Sequence, residues 1–489
     1  MPIPFDNSFA ALGSPFSSVQ TPVPVEKPAL IKINSTLAEQ LNIDPHWLES
    51  HEGIEVLAGN RVAEGSEPTS AAYAGHQFGH FNPQLGDGRA ILLGEILDKN
   101  GHRYDLQLKG SGRTPWSRGG DGRSPIGPVL REYIVSEAMA ALGVPSTRAL
   151  AAVSTGEQVV RDGVAPGAVL ARVASSHIRV GTMQYFAARE DRKSLATLVT
   201  YVLERHYPDR RGADNAATAL LESVIEAQAR LIARWQLLGF VHGVMNTDNM
   251  LLCGETVDYG PCAFMEEFHP ETLFSSIDQQ GRYAYCNQPG IAQWNLARLA
   301  EALLPLINED TDAAVEAAKQ ALQGFTETFE SAYQAGLADK LGLSDMNQSD
   351  ITLADELFTA LQEDQADFTL AFRFLADEIN PGAQNTGAGA LFSPGQKLLE
   401  WMPRWMQRQQ AQNSDAATRQ IRMFAASPAF IPRNHLIQRA IEDGESGDYA
   451  LFHRLVERLA HSTSYAGDDS DLALPAKPQE RVTRTFCGT

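Results

Sequence analysis

The pattern of hydrophobic and polar positions is clearest in the first third of the chain. Two apolar-rich segments, residues 91–97 and 104–110, flank the turn-forming Lys-Asn-Gly of residues 99–101, and this arrangement predicts a β-hairpin. Residues 129–144 then carry apolar side chains at helical spacing and reach a glycine where a helix would end. The pattern therefore predicts a hairpin followed by one long helix.

Further strand-like and helical patterns divide the chain into two unlike halves. Strand-like segments follow the first helix at residues 149–155, 157–163 and 168–174. Beyond about residue 195 the strand signals fade, and long helical patterns occupy residues 216–240, 291–307, 312–337 and 397–410. A β-rich first half and a helical second half predict the α+β fold class.

The two ends of the chain lack this regular patterning. Residues 1–70 are rich in Pro, Ser and Glu, with one helical pattern at 37–43, and they predict an extension that wraps a larger unit. Residues 462–489 show no periodicity and predict a tail. The predicted segments are an N-terminal wrapping extension (1–70), a β-rich unit (71–190), a helical unit (191–345) and a helical C-terminal extension with the tail (346–489).

Composition narrows the possible functions. The 489 residues are 43% hydrophobic, which is ordinary for a globular protein, and 40 basic against 60 acidic residues give a formal net charge of −20. Such a charge disfavours general binding of nucleic acid, because long-range repulsion opposes a polyanion. Four cysteines, no secretory signal and no long apolar run predict a cytoplasmic protein without membrane or nucleic-acid partners.

Residues 242–260 are the most informative segment for chemistry. A helix, a polar loop with Asp248-Asn249, a short apolar run and an acidic turn at Asp258 follow in the order that protein kinases use. Alignment on Asn249 puts Val244 where a kinase has its catalytic Asp, so the usual base is missing and Asp248 is the nearest replacement. Asn249 and Asp258 are oxygen ligands suited to Mg2+, although such residues more commonly cap turns.

Other candidates for a phosphate site lie upstream. Lys109 ends a predicted strand and Glu132 follows 23 positions later in the predicted helix, which matches the kinase ion pair that holds a lysine against phosphates. A glycine pair, Gly86 and Gly88, precedes Arg89 and could let the backbone approach a nucleotide, but the third glycine of the kinase loop is absent. The P-loop motif is absent from the sequence, which disfavours that class of nucleotidase.

Arginines accumulate in the β-rich half of this acidic chain. Guanidinium groups bind polyphosphates through paired hydrogen bonds, so the sequence favours a basic cleft, with pairing to surface carboxylates as the alternative. The arginines are Arg89, Arg113, Arg118, Arg123, Arg172 and Arg179.

Taken together, these segments resemble a known family. The motifs AGHQFG, LKGSGRTPWSRGGDGR, HGVMNTDN and VDYGP, with Cys487 near the C-terminus, are similar to those of the selenoprotein O family (YdiU group) over nearly the whole chain. Members of that family are protein adenylyltransferases with a kinase-like, two-lobe fold. The resemblance implies a β-rich N-lobe at 71–190, a helical C-lobe at 191–345, and transfer of AMP from ATP to Ser, Thr or Tyr hydroxyls of proteins, from ATP bound in an inverted orientation.

The resemblance also implies a role for each matching residue. Asp248 would be the general base, Asn249 and Asp258 would hold Mg2+, with Mn2+ as a possible substitute, and Glu132 would support Lys109. The implied nucleotide contacts are Gly86, Gly88, Arg89, Lys109, Asp121, Gly122, Arg172, Arg179 and Asp258.

Two other functions stay open on the sequence. An ordinary protein kinase could use Asp248 as its base and transfer phosphate, and a pseudokinase could act as a scaffold or as a redox sensor through Cys487. Cys487 stands where eukaryotic members carry selenocysteine, and the nearest candidate for a disulfide partner, Cys286, lies about a dozen residues beyond the expected position. We expect a monomer whose partners are ATP and protein substrates.

Overall fold

The fold combines one large antiparallel sheet with many helices. Residues 2–380, 387–465 and 467–486 are described by the structure, a computed structural model. The described strands are β1 (Ser17–Val19), β2 (Ala29–Ile33), β3 (Thr69–Ala71), β4 (Gly75–Gln77), β5 (His80–Asn82), β6 (Ala90–Leu97), β7 (Arg103–Lys109), β8 (Arg148–Val160), β9 (Val164–Ala174), β10 (Phe240–Val241) and β11 (Ala263–Phe264). The predicted α+β class is confirmed.

Helices dominate the chain after β9. Those described are α1 (Ser35–Gln40), α2 (Pro45–Glu49), α3 (His51–Ala58), α4 (Ile126–Ala141), α5 (Val180–Ala187), α6 (Arg192–His206), α7 (Ala216–Leu238), α8 (Gln288–Ile307), α9 (Thr311–Leu341), α10 (Gln348–Glu363), α11 (Phe368–Glu378), α12 (Gln396–Gln410), α13 (Ala416–Ala426), α14 (Asn434–Glu445), α15 (Ala450–Leu459) and α16 (Ser470–Ala473). None of these helices has the length and apolar character needed to cross a membrane.

The seven-stranded sheet has the order β1-β3-β6-β7-β9-β8-β2, and its neighbouring strands run antiparallel. The predicted hairpin is confirmed as β6 and β7. Its turn is closed by Asp98, whose carboxylate accepts hydrogen bonds from the backbone amides of Asn100 and His102, each at 2.8 Å. Gly101 has φ +83°, a conformation that glycine adopts without steric cost.

The prediction of two separate strands at 149–155 and 157–163 is wrong. Residues 149–155 and 157–160 belong to the single strand β8, which pairs with β9 and has a register irregularity between Ser154 and Gln158, whereas 161–163 form the turn to β9. Gly156, with φ +74°, lies inside that irregularity. A bulge of this kind interrupts the alternation of side chains and so resembles a turn in the sequence.

The first 70 residues contribute more regular structure than their composition indicates. They supply β1 and β2, which occupy the two opposite edges of the sheet, and three short helices instead of the one that was predicted. Each helix begins at a capping side chain, because Asn34, Asp44 and Ser50 accept hydrogen bonds from the backbone amides of the first helical turns. The short strands are stabilised by their sheet neighbours, which local sequence does not reveal.

Helices cover both faces of the sheet. Helices α1–α3 share one apolar core with side chains of β6, β7, β8 and β9. Helix α4 covers the other face, packs against β8 and β9, and is itself covered by α14 and α15. A further apolar core is formed by side chains of the five helices from α9 through α13. Helix α4 is therefore buried between the sheet and the C-terminal helices, which fixes the position of its polar residues.

The predicted tail packs against the protein. Leu472 and Ala473 are buried in the main core, and Thr485 forms an isolated β-bridge with Ser275. The Thr485 hydroxyl donates a 2.6 Å hydrogen bond to the carbonyl of Pro261, shortly after the Asp258 turn. The last part of the described chain is thus attached to the segment that follows the candidate metal site. Cys487 lies outside the described residues.

Candidate functional site

A cavity of about 540 Å³ lies between the β-rich half and the 244–258 loop. Its lining residues come from β6, β7 and β9, from the glycine-rich loop at 116–123 and from the polar loop. The predicted site residues that line it are Gly86, Gly88, Arg89, Lys109, Asp121, Gly122, Arg172, Arg179, Asp248, Asn249 and Asp258. Residues far apart in sequence thus meet in one cavity.

A buried ion-pair cluster adjoins this cavity. The ammonium of Lys109 contacts the carboxylate of Glu132 on α4, and Arg172 on β9 bonds the other oxygen of the same carboxylate at 3.0 Å. Lys109 also lies 3.5 Å from Asp258. Burial disfavours the charged form of Glu132, but Lys109 and Arg172 outweigh it and hold the pKa of Glu132 below its usual value.

Asp258 and Asn249 offer two oxygen ligands to the cavity. Burial works against ionisation of Asp258, but the nearby Lys109 and Arg89 hold its pKa well below the usual range, so it is a carboxylate at neutral pH. The amide nitrogen of Asn249 donates a 3.1 Å hydrogen bond to the carbonyl of Val244, and its amide oxygen accepts no hydrogen bond from the described residues.

This donor set fits Mg2+, which is commonly held by one or two protein oxygens together with substrate phosphates and water. The described residues contain no group of three or more His, Cys, Asp or Glu side chains that could enclose a metal by themselves. A nucleotide-dependent metal site therefore suits the ligands better than a resident structural metal does.

Asp248 is held on a buried part of the polar loop. One carboxylate oxygen, Oδ2, accepts a 3.1 Å hydrogen bond from the side-chain amide of Gln77, and Oδ1 is buried without a hydrogen-bond partner in the described chain. The guanidinium of Arg179 donates to the backbone carbonyl of Asp248 at 2.6 Å. Burial raises the pKa of Asp248 to about 6 despite Arg179, so the side chain can both accept and release a proton near neutral pH.

Arg179 and Arg172 are joined through a second carboxylate. Arg179 lies 3.5 Å from Asp87 and 4.4 Å from the ring of Tyr73. Gln107 links the two arginines, since its amide nitrogen lies 3.4 Å from Asp87 and its oxygen accepts from Arg172. The two guanidinium groups are thereby held in place before any ligand binds, which lowers the cost of ordering them around phosphates.

Two glycines allow close approach of loops at the cavity. Gly86 has φ +89° and faces the ring of Trp116, and Gly122 has φ +71° and faces the backbone of Gly112. A Cβ atom at either position would collide with these neighbours. Next to Gly122, the carboxylate of Asp121 pairs with the guanidinium of Arg161 at 2.7 Å, and this ion pair joins the 116–123 loop to the β8–β9 hairpin.

The predicted arginine cluster is largely brought together. Arg113 does not line the cavity and instead donates to the carbonyls of Gly119 and Gly120 in the glycine-rich loop. Among the described residues, seven basic and four acidic side chains line the cavity. The basic ones are Arg89, Lys109, Arg118, Arg123, Arg161, Arg172 and Arg179, and the acidic ones are Asp87, Asp121, Asp248 and Asp258.

Several lining residues were missed by the sequence interpretation, namely Tyr73, Gln77, Asp87, Trp116, Arg161, Asn246 and Ile277. Asp87 lies inside the Gly-Asp-Gly-Arg sequence, and Gln77 lies inside the AGHQFG motif. Membership of these motifs was the available signal, because neither residue type by itself indicates a role.

Comparison with known proteins identifies the family of the chain. A family model described as "Protein adenylyltransferase SelO" matches residues 1–460. The chain belongs to this family. Three similar relatives, each named "Protein nucleotidyltransferase YdiU", come from Nitrobacter hamburgensis (54% identical, covering 100% of this chain and 97% of the relative), Rhodopseudomonas palustris strain BisB5 (56%, 99% and 99%) and Bradyrhizobium sp. strain BTAi1 (56%, 99% and 99%).

The predicted family and enzyme class are thus confirmed, and the chain is a SelO-family nucleotidyltransferase. Of the three functions considered on the sequence, protein adenylylation is the one that these matches support.

Proposed function

We propose that this SelO-family chain transfers AMP from ATP to Ser, Thr or Tyr hydroxyls of other proteins. The observation that carries the proposal is the convergence of a buried Lys109–Glu132–Arg172 cluster and the oxygen ligands Asn249 and Asp258 on one cavity. These are the elements that transfer at a phosphorus centre requires, namely positioning of phosphates and neutralisation of charge.

Asn249 and Asp258 would hold Mg2+, or Mn2+ as a substitute. The ion would supply neutralisation of phosphate charge when bound. The support for this assignment is the amide oxygen of Asn249, to which no described residue donates, and the ionised carboxylate of Asp258. Both are hard ligands, and the number of protein ligands suits a metal that shares its coordination with a nucleotide.

The basic residues define where the phosphates would lie. Lys109 and Arg172 are buried residues that line the cavity beside Glu132, and Arg179 lies beside the Asp248 loop. We propose that ATP binds inverted, with its γ-phosphate at Lys109 and Arg172 and its α-phosphate toward Asp248. The remaining proposed nucleotide contacts are Gly86, Gly88, Arg89, Asp121 and Gly122, where glycines let the backbone come close to the ligand.

Asp248 would be the general base. In the proposed step the acceptor hydroxyl oxygen attacks the α-phosphorus, its proton passes to the Asp248 carboxylate, and the bond between the α-phosphorus and the bridging oxygen breaks to release diphosphate. A pKa of about 6 keeps most Asp248 side chains ionised at neutral pH while making them adequate proton acceptors. Val244, at the usual kinase base position, has no titratable group.

The proposal includes a kinase-like, two-lobe arrangement. Its supports are the antiparallel sheet with the α4 helix and the order of the 242–260 elements. The division into a wrapping extension (1–70), an N-lobe (71–190), a C-lobe (191–345) and a C-terminal extension (346–489) belongs to the same proposal. We further propose a cytoplasmic enzyme, on the basis of the low cysteine content, and a monomer.

Intact-mass spectrometry tests the proposal. The protein and a mixed protein substrate are incubated with ATP and Mg2+, beside Asp258→Asn and the exposed-site control Asp209→Ala. Asn is preferred to Ala at residue 258 because φ is +66°, which Asn tolerates. We expect an AMP-sized mass gain with the wild type and Asp209→Ala and none with Asp258→Asn.

The other outcomes separate the alternatives. A phosphate-sized gain would establish an ordinary kinase reaction. No gain by the wild type, with ATP still bound, would establish a pseudokinase, and full activity of Asp258→Asn would exclude its metal role.

A further inference from the structure

The β4–β5 hairpin is attached directly to the loop that carries Asp248. The backbone amide of His76 donates to the hydroxyl of Thr247 at 2.6 Å, and that of Phe78 donates to the side-chain oxygen of Asn246 at 3.1 Å. Gly75 packs so tightly on Asp248 that a Cβ atom would collide with the carboxylate. The hairpin therefore has a fixed position relative to Asp248.

Gln77, at the end of β4, is the residue through which this hairpin reaches the carboxylate. Its side-chain amide donates to Asp248 Oδ2 at 3.1 Å, and Gln77 also lines the cavity. The neighbouring cation, Arg179, bonds the backbone carbonyl of Asp248 and leaves the carboxylate to Gln77. The other oxygen, Oδ1, has no partner among the described residues.

We propose that Gln77 is a positioning residue for AMP transfer, and that its amide fixes the orientation of the Asp248 carboxylate toward the acceptor hydroxyl. The inference rests on the proposed role of Asp248 as the base. Gln77 is the one side-chain donor that the described residues offer to this carboxylate, so its loss frees the carboxylate to turn about its last torsion, and a base that is out of line transfers protons slowly. Gln77 acts through Asp248, so its loss affects the chemical step and leaves nucleotide binding unchanged.

The effect follows from the strength of this hydrogen bond. A bond to a charged group contributes enough for its loss to slow a reaction by about 10- to 100-fold when the bond operates in the transition state. A residue that only shaped the cavity would instead weaken ATP binding, and a residue that only held the hairpin would lower the melting temperature.

The test uses the full chain with three variants of glutamine. Gln77→Met removes the donor at similar length, Gln77→Glu keeps the shape but presents acceptor oxygens to Asp248, and Gln84→Met is the matched control at an exposed glutamine outside the cavity. Initial rates of AMP transfer at varied ATP give kcat and KM, calorimetry gives the ATP dissociation constant, and thermal unfolding reports folding. Asp248→Asn is measured in parallel.

We expect kcat to fall about 10- to 100-fold in Gln77→Met and at least as far in Gln77→Glu, with KM and the dissociation constant for ATP within about twofold of wild type. Gln84→Met should match the wild type. An unchanged kcat in Gln77→Met, or a rise in KM without a change in kcat, would overturn the inference.

The remaining outcomes are also decisive. If Gln77→Met fails to fold, the same criteria are applied to Gln77→Glu, which preserves the volume of the side chain. Wild-type activity of Asp248→Asn would mean that the proposed base is wrong. A large loss in Asp248→Asn beside wild-type kcat in both Gln77 variants would retain the base and reject the positioning role.

Discussion

Glu132 balances two buried cations, and its neutralisation should have a large effect. The carboxylate is 2% exposed, while Lys109 and Arg172 on its two oxygens are 8% and 3% exposed. The variant Glu132→Gln keeps the shape and removes the charge. Breaking a buried pair by neutralising one partner costs about 3–5 kcal/mol, because the remaining charges stay desolvated without compensation.

The consequence for folding is measurable. A loss of this size lowers the melting temperature by about 6 °C or more for a cooperative unit of 150–250 residues. Saturating ATP should restore part of the loss, since its phosphates would supply negative charge to the same two cations.

The consequence for transfer should be separate from that for folding. Without Glu132, the ammonium of Lys109 is free to turn to Asp258, 3.5 Å away, and so competes with the proposed metal for that carboxylate. We expect AMP transfer at saturating ATP and Mg2+ to fall about 10- to 100-fold. Thermal unfolding with and without ATP, and transfer measured by intact mass, test both parts.

Glu137→Gln is the matched control. Glu137 lies on the same helix and pairs with Arg148 at 2.7 Å, but it does not line the cavity. This variant should lose stability and keep its transfer rate once folded. A melting temperature of Glu132→Gln within about 1 °C of the wild type, together with a wild-type rate of AMP transfer, would contradict this prediction. The charge of Glu132 would then not stabilise the fold, and the cost expected for breaking a buried ion pair would not apply here.

Two further predictions concern a buried lysine and a loop glycine. Burial lowers the pKa of Lys340 from 10.5 to about 7. The unfolded chain therefore binds a proton that the folded chain lacks between these pH values, and stability should rise with pH by up to about 1.4 kcal/mol per unit. Urea unfolding at several pH values should show a smaller slope for Lys340→Met, and equal slopes would contradict the assignment. Gly122→Ala should weaken ATP binding by calorimetry, because a Cβ there meets the backbone of Gly112. Gly119→Ala has a similar positive φ but open space around it, so equal losses in both variants would point to backbone strain alone.

Local pattern was sufficient to predict several of the residues that meet in the cavity. Lys109 and Glu132 lie at the end of a strand and within the next helix, and antiparallel pairing plus helical packing bring such positions together over short chain distances. The order of α7, the polar loop and the Asp258 turn could likewise be predicted, because these elements follow one another directly along the chain. Family resemblance then gave a role to residues such as Asp121, which spacing alone would have left as a loop carboxylate.

The residues missed by the sequence interpretation depend on distant partners. Gln77 meets Asp248 across 171 positions, and Asp87 meets Arg179 only after the sheet has formed. The edge strands β1 and β2 are likewise not predicted by the sequence pattern, because short strands of mixed composition gain their stability from neighbours in the sheet. The tail packs through Thr485 on a segment more than 200 positions earlier, which no local periodicity reports.

The net charge of the whole chain is negative, whereas the charge of the side chains that line the cavity is on balance positive. The whole chain carries a formal charge of −20, which repels an extended polyanion at distances comparable to the Debye length. The cavity has an excess of basic side chains among its described lining residues, and several of them are buried, where salt screens them weakly. An anion small enough to enter the cavity leaves the repulsive acidic surface and contacts these basic side chains. A nucleic acid longer than the cavity stays exposed to the acidic surface. This difference in reach explains why the same composition disfavours nucleic acid and is compatible with a nucleotide.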